Sequence, residues 1–329
     1  MRYAHGGRCP AGLVDYSANI NPYGLPESVK KALIANIDSL SRYPDPDCTE
    51  LKASLAARHR GHIVCGNGAA ELIFSLVRAL AVKTAVLLSP GFHEYERALS
   101  GAEIRYVELS EKKGFRWDGE LFAALEGADF FIFSNPQNPT GVLEDPRPVF
   151  EFCRKRGIFV CADECFMDFC DLPRSAEPLL YERSAIIRAF TKTHAMAGLR
   201  LGYLVMPDRA LAERIEQERP EWTVSTAAQL AGLAAVGDGE YLCRTLPLIA
   251  EEREKMRAFL CECGCRVYGS RANFLFFRAR PGLFEHCRRN GFIIRDCSNY
   301  RGLEEGFYRI AVGRDNERLL EVIRQWQSR

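Results

Sequence analysis

Net charge is nearly absent from this 329-residue chain: Lys+Arg 44 against Asp+Glu 43 leaves +1. So weak a field argues against nucleic acid or a membrane surface as the main partner, and a small molecule is the expected ligand. Long apolar runs are missing too. Thr84 to Leu88 and Phe130 to Phe133 are strand-sized, far short of the roughly 20 residues that span a bilayer. Met1 to Pro10 lacks the apolar stretch of a secretory signal, so the 13 cysteines are expected to be thiols in a reducing, cytoplasmic setting. Cys261, Cys263 and Cys265 lack the two-residue gap of a zinc knuckle, and no His follows nearby. No metal site is expected there; a helix end running through Gly264 into a strand accounts for the cluster. Neither an internal repeat nor a low-complexity linker is visible.

What is present is an α/β alternation. Helical patterns over Glu50 to Arg60 and Ala69 to Ala81 precede strand signals at Ala85 to Leu88, Ile104 to Glu108, Phe130 to Phe133, Ile158 to Cys161, Ala185 to Ala189 and Tyr203 to Met206. Their continuous apolar character suits a sheet covered on both faces. After Met206 come longer helical stretches, Arg209 to Glu218, Thr226 to Val236 and Tyr241 to Cys261, then strands near Arg266 to Tyr268 and Phe274 to Ala279. The length favours two domains: a large one over 41–207 and a smaller, discontinuous α+β one from 1–40 and 208–329. The helical pattern of Pro26 to Leu40 would pack against the latter.

Chemistry concentrates where these strands end. Lys192 follows the strand closing at Ala189, and a partly desolvated lysine at such an edge can form imines with aldehydes. Arg200 stands eight residues on in a Gly-flanked turn, with the planar fork that fits phosphate. Gly66-Asn67-Gly68-Ala69-Ala70-Glu71 precedes an apolar helix and can expose backbone N–H groups to an anion, although an ordinary loop-to-helix turn needs the same residues. Asp163 ends the strand at Cys161, where it serves equally as a helix or loop cap or as a carboxylate in the crevice. Ser134-Asn135-Pro136-Gln137-Asn138-Pro139-Thr140-Gly141 is a stiffened loop in which Asn138 can donate a hydrogen bond. Pro90-Gly91-Phe92-His93-Glu94-Tyr95 offers aromatic faces for stacking or core packing.

Together these segments resemble, in order and over nearly the whole chain, the fold type I pyridoxal-phosphate enzymes of the aspartate aminotransferase superfamily. The resemblance implies an α/β fold with a mostly parallel seven-stranded sheet between helices plus a smaller α+β domain, and pyridoxal 5'-phosphate as cofactor. It makes Lys192 the Schiff-base lysine, Asp163 the partner of the pyridine nitrogen, Asn138 the donor to the phenolic oxygen and Phe92 the stacking ring. Gly68, Ala69, Thr191 and Arg200 would hold the cofactor phosphate. Tyr43 resembles a residue that reaches the partner's cofactor phosphate, which implies a homodimer.

Within the superfamily, His5-Gly6-Gly7, Asp15-Tyr16-Ser17-Ala18-Asn19-Ile20-Asn21-Pro22, Arg42-Tyr43-Pro44-Asp45-Pro46, Arg295-Asp296-Cys297 and Tyr308-Arg309-Ile310-Ala311-Val312-Gly313 are similar to one branch. It holds histidinol-phosphate aminotransferases and threonine-phosphate decarboxylases, and the decarboxylases are the nearer match. That similarity implies decarboxylation of O-phospho-L-threonine to (R)-1-amino-2-propanol phosphate, with His5, Asn19, Arg295 and Arg309, beside Asn138, as substrate contacts. The alternatives are transamination of histidinol phosphate and, more remotely, a non-catalytic binding protein on the same fold. Two departures stand out. Phe166 replaces the tyrosine that aminotransferases usually carry three residues after the aspartate, which favours decarboxylation, and Ala189 replaces a hydroxyl residue three before Lys192.

Overall fold

A computed structural model describes residues 6–328. Its strands are β1 (Val14–Asp15), β2 (His62–Asn67), β3 (Thr84–Ser89), β4 (Glu103–Glu108), β5 (Phe130–Ser134), β6 (Phe159–Asp163), β7 (Ser184–Ala189), β8 (Leu201–Met206), β9 (Arg266–Val267), β10 (Phe274–Arg278), β11 (Phe292–Ile293), β12 (Arg295–Asp296) and β13 (Phe307–Ala311). Seven form one sheet in the order β2-β8-β7-β6-β5-β3-β4. All run parallel except β8, which is antiparallel to both its neighbours.

The apolar runs of the sequence divide between the two faces of this sheet with a period of two. Phe131 and Phe133 of β5 join Val86, Val160 and Ile186 in a core closed by the helices Gly119–Leu125, Arg147–Arg156 and Thr226–Gly237. Phe130 and Ile132 join Leu87, Phe159 and Ile187 in a second core under the helices Gly68–Leu80 and Arg209–Gln217. Helix starts are set by capping side chains: Asp208 accepts from the Leu211 N–H (3.0 Å), Ser225 from Ala228 (3.2 Å) and Asp238 from Tyr241 (3.0 Å).

Some elements differ from the sequence reading. No strand is expected before Gly66, yet β2 pairs with β8 at all six positions. Its residues His62 to Asn67 show no alternation and end in Gly and Asn, poor strand formers, so pairing with a neighbour defines it. The helix expected over Glu50 to Arg60 ends at Ala56. The pattern from Pro26 to Leu40 breaks at Asn36 into a helix, Glu27–Ala35, and a 3-10 turn, Ile37–Ser41. That first helix packs on Thr226–Gly237.

A separate four-stranded antiparallel sheet, β12-β13-β10-β9, carries the helices Gly239–Glu262 and Asn316–Gln327 around Met256, Leu260, Phe274, Phe277, Leu319 and Ile323. β1 pairs in parallel with β11 beside it. Cys261 sits at the end of the long helix, Gly264 turns the chain at φ 78°, and Cys265 is buried just before β9. Among the described residues no helix is long and apolar enough to cross a membrane.

Topology gathers the site segments along one edge. β3, β5, β6 and β7 end there at Ser89, Ser134, Asp163 and Ala189, β2 runs out there into Gly68, and the reversed β8 begins there just after Arg200. Such an edge is where open α/β sheets bind ligands.

Candidate active site

A cavity of about 210 Å³ opens at this edge, and Lys192, Asp163, Asn138, Phe92, Ala69, Thr191, Arg200, Asn19 and Arg309 all line it. The sequence thus spreads these groups over 291 positions (Asn19 to Arg309), and the fold brings them to one hollow.

Lys192 lies in a single helical turn, Phe190–Thr193, entered directly from β7. Asn21 braces that turn: its N–H donates to the Lys192 carbonyl (2.9 Å) and its side-chain amide to the Thr193 carbonyl (2.9 Å) and the Thr245 hydroxyl (3.2 Å). Burial, reinforced by the Arg309 guanidinium, lowers the Lys192 amine to about 8, because both disfavour the ammonium form. A useful fraction of neutral amine therefore exists near neutral pH.

Asp163 is buried and held at both oxygens. Tyr95 donates its phenol proton to Oδ2 (2.7 Å) and the Cys165 N–H donates to Oδ1 (3.0 Å). Burial and this carboxylate push the Tyr95 phenol well above its ordinary value, so it remains a donor. Phe92 is half-buried and meets Tyr95 edge to face, with ring centroids 5.4 Å apart.

At the opposite side, Gly68 opens the helix Gly68–Leu80 at φ 76°, with the Arg200 guanidinium directly over it. A Cβ there would stand 2.5 Å from Arg200 Nη2, and one on Gly202 would stand 2.7 Å from the Ala69 nitrogen. These approaches require glycine and leave the first N–H groups of the helix beneath a guanidinium, which is a cradle for phosphate. Arg200 itself is left-handed, at φ 61°, a conformation that bulky side chains adopt only where the surroundings enforce it.

Two further cations stand on β12 and β13: Arg309 lines the hollow, and Arg295 lies beside it against the Tyr300 ring. Arg295 and Arg309 are directly paired across these strands, and both are buried, at 7% and 6% exposure. Arg309 donates to Asn138 Oδ1 (2.5 Å) and the Ser17 carbonyl (3.0 Å). Arg295 donates to the Asp296 carbonyl and to Asn299 Oδ1 (2.7 Å). Among the described residues neither has a carboxylate partner, and the Nε of each is buried without one. Like charges opposite one another on a sheet repel, and an uncompensated buried cation is costly; the pair calls for an anion. Asn19 Oδ1 is likewise buried and unpartnered at the cavity wall.

The family model for aminotransferase class I and II matches residues 11–325. The chain belongs to the class I and II aminotransferase family. Among its curated relatives is a threonine-phosphate decarboxylase of Salmonella typhimurium, 38% identical, with 97% of this chain and 92% of that protein covered. A histidinol-phosphate aminotransferase of Limosilactobacillus fermentum is 33% identical, covering 92% and 87%. The crystal structure of a histidinol-phosphate aminotransferase from Clostridium acetobutylicum superimposes with a TM-score of 0.89 at 28% identity, over 96% of this chain and 99% of that one. Members of this family are pyridoxal-phosphate-dependent enzymes. The residues here fit that cofactor: a glycine-floored cradle under Arg200 for its phosphate, Asp163 for its ring nitrogen, Phe92 for its ring face, and Lys192 between.

Not every expected residue lines the cavity. Tyr43 is outside it, 82% exposed and against the Trp222 ring at 4.8 Å between centroids. Arg295 stands behind Tyr300, whose ring does line it. His5 lies outside the described residues; Gly6 lines the cavity, and Gly7 donates to the Ser17 hydroxyl (2.9 Å). Phe166 does line the cavity, and packs edge to face on Phe274 at 5.2 Å in the core of the four-stranded sheet. The sequence reading missed the roles of Tyr95, Asn21, Ser17 and Tyr300, which contact the distant Asp163, Thr193, Arg309 and His93.

Proposed function

We propose that this enzyme decarboxylates O-phospho-L-threonine to (R)-1-amino-2-propanol phosphate. The observation that carries this reading is the pair of buried, carboxylate-free guanidiniums, Arg295 and Arg309. Phosphothreonine brings two anionic groups, a phosphate and a carboxylate, to two cations. Histidinol phosphate brings only one. The decarboxylase relative at 38% identity supports the same choice, as does Phe166 in place of a hydroxyl donor.

Bound pyridoxal phosphate would supply an electron sink for the bond broken at the substrate's α-carbon. Asp163, fixed by Tyr95 and the Cys165 N–H, would keep a proton on the ring nitrogen. Gly68, Ala69, Thr191 and Arg200 would hold the phosphate, and the Asn138 amide would donate to the phenolic oxygen. Arg309 and Arg295 would grip the substrate's two anions and thereby set its rotation, which selects the bond that breaks. Lys192, its amine lowered to about 8, would then return a proton to the α-carbon.

The same proposal covers the assembly and domain plan. Tyr43 and, shortly before it in the sequence, Ile34, Ile37 and Leu40 are all exposed, which supports a homodimer in which Tyr43 reaches the partner's cofactor phosphate. The separate core around Phe274 and Leu319 supports a small domain beside the large one over 41–207, but of the expected segments 1–40 and 208–329 the helices Glu27–Ala35, Arg209–Gln217 and Thr226–Gly237 join the cores of the large sheet instead.

The deciding experiment supplies the loaded enzyme with O-phospho-L-threonine and no keto acid, and measures carbon dioxide. A parallel tube holds histidinol phosphate and 2-oxoglutarate. Carbon dioxide in the first supports the proposal; glutamate in the second with none in the first replaces it with transamination.

A further inference from the structure

We infer that Tyr300 is a specificity residue of this site: its ring sets the plane of the Arg295 guanidinium and, with His93 stacked on it, closes the pocket to ring-bearing substrates. The inference rests on the two-arginine anion site proposed above. It adds the residues that would select a compact aliphatic amino acid phosphate over a ring-bearing one.

Tyr300 sits in the turn after β12, where its N–H donates to the Cys297 carbonyl (3.0 Å) and its carbonyl accepts from Leu303 (3.1 Å). The turn is fastened to the seven-stranded sheet. Ser89, the last residue of β3, donates its hydroxyl to the Arg301 carbonyl (2.7 Å), and the Arg301 guanidinium carbon lies 3.9 Å from the centre of the Tyr106 ring on β4. Gly302, at φ 80°, backs onto Ser89 and Glu108. The ring of Tyr300 is therefore not a free flap.

That fixed ring has two partners within the chain. The His93 imidazole is stacked on it, with centroids 4.7 Å apart and planes 25° from parallel. The Arg295 guanidinium carbon lies 4.9 Å from its centre. In its own plane Arg295 already uses Nη1 on the Asp296 carbonyl and Nη2 on Asn299, which leaves the buried Nε edge for a ligand. A guanidinium grips phosphate only within its plane, so whatever fixes that plane fixes the direction of the grip. Tyr300 would do this by holding the guanidinium carbon over its ring.

Size selection follows from the same contacts. Tyr300 lines the cavity, but its stacking is already satisfied by an imidazole and a guanidinium belonging to the chain. A substrate with its own imidazole finds the stacking place on this ring taken by His93. A short aliphatic substrate needs no such place.

The test uses holoenzymes of Tyr300→Phe, Tyr300→Leu and His93→Ala, with pyridoxal phosphate affinity as the control for a folded site. Inorganic phosphate is the direct probe of the anion site, read as competitive inhibition. Tyr300→Leu is expected to weaken phosphate and to raise the KM for O-phospho-L-threonine by about tenfold or more, the scale of one buried cation–ring contact. Cofactor affinity should change less than about threefold. Tyr300→Phe should recover most of the loss, because it keeps the ring. His93→Ala should raise turnover of histidinol phosphate relative to phosphothreonine by about tenfold. Equal losses in Tyr300→Phe and Tyr300→Leu would assign the effect to the hydroxyl and overturn the inference. So would a fall in kcat at unchanged KM, or a substrate ratio that His93→Ala leaves alone. The parent enzyme judges the proposed reaction by its own substrate choice, whereas the phosphate constants of the variants judge Tyr300 whichever reaction it runs.

Discussion

Tyr95 donates its phenol proton to the buried Asp163 carboxylate at 2.7 Å. The phenol is the side-chain half of the support for that carboxylate, the Cys165 N–H being the other. A hydrogen bond to a charged group contributes about 1.5–3 kcal/mol. Tyr95→Phe should therefore leave a folded enzyme that binds pyridoxal phosphate about tenfold or more weakly. An absorbance titration of the cofactor-free protein measures this directly, and an unchanged constant would remove Tyr95 from the site.

Lys192 should be the residue trapped when the loaded enzyme is reduced with borohydride, and Lys192→Ala should abolish turnover in a folded protein. Peptide mapping of the reduced protein checks the first point. Because its amine is lowered from 10.5 to about 8, the rate of cofactor capture should rise with pH and level off just above pH 8. Between about 8 and 10.5 an unfolded chain holds more protons on this group than the folded one, so the cofactor-free protein should also gain stability with pH there. After burial, Arg309 is the next cause of the shift; Arg309→Ala should move the midpoint upward.

Gly68→Ala tests the phosphate cradle. The left-handed φ costs an L-residue about 1–2 kcal/mol, and the new Cβ would displace Arg200, 2.5 Å away. Weaker cofactor binding with a modest drop in melting temperature is expected. If the melting temperature falls while the cofactor constant holds, the cradle lies elsewhere.

His194 gives an acid limb to stability. Burial lowers it from 6.5 to about 4, against the opposing pull of Asp168 and Asp238. Its neutral form thus favours the fold above pH 6.5, and that contribution is lost as pH falls toward 4, about 2 kcal/mol of it between pH 7 and pH 5. Urea unfolding at those two pH values should show a smaller difference in His194→Phe than in the parent.

Much of the fold was legible because its strands are apolar on both faces: the apolar run Phe130 to Phe133 reads as an interior strand, and β5 is buried along its whole length. β2 was not legible, since His62 to Asn67 carries no pattern of its own and is a strand through its pairing with β8. β11, β12 and β13 escaped for a similar reason, being short or interrupted by Arg295 and Arg309, charges that serve the site and spoil the alternation. Among site residues, Lys192, Asp163, Asn138 and Arg200 stand in compact local motifs at strand ends. Tyr95, Asn21 and Tyr300 meet partners 68, 172 and 207 positions away, and a linear reading carries no trace of which tyrosine or asparagine the fold will turn inward.

Lys192 and Arg200 share one short crossing between β7 and β8, braced by Asn21 from the N-terminal segment. The proposed covalent tether and phosphate clamp thus hang on the same short segment. Opening that one crossing would release both grips at once, so cofactor escape and local opening become a single event with a single barrier. Amide hydrogen exchange over residues 190–202 would then serve as a clock for how long each cofactor molecule stays.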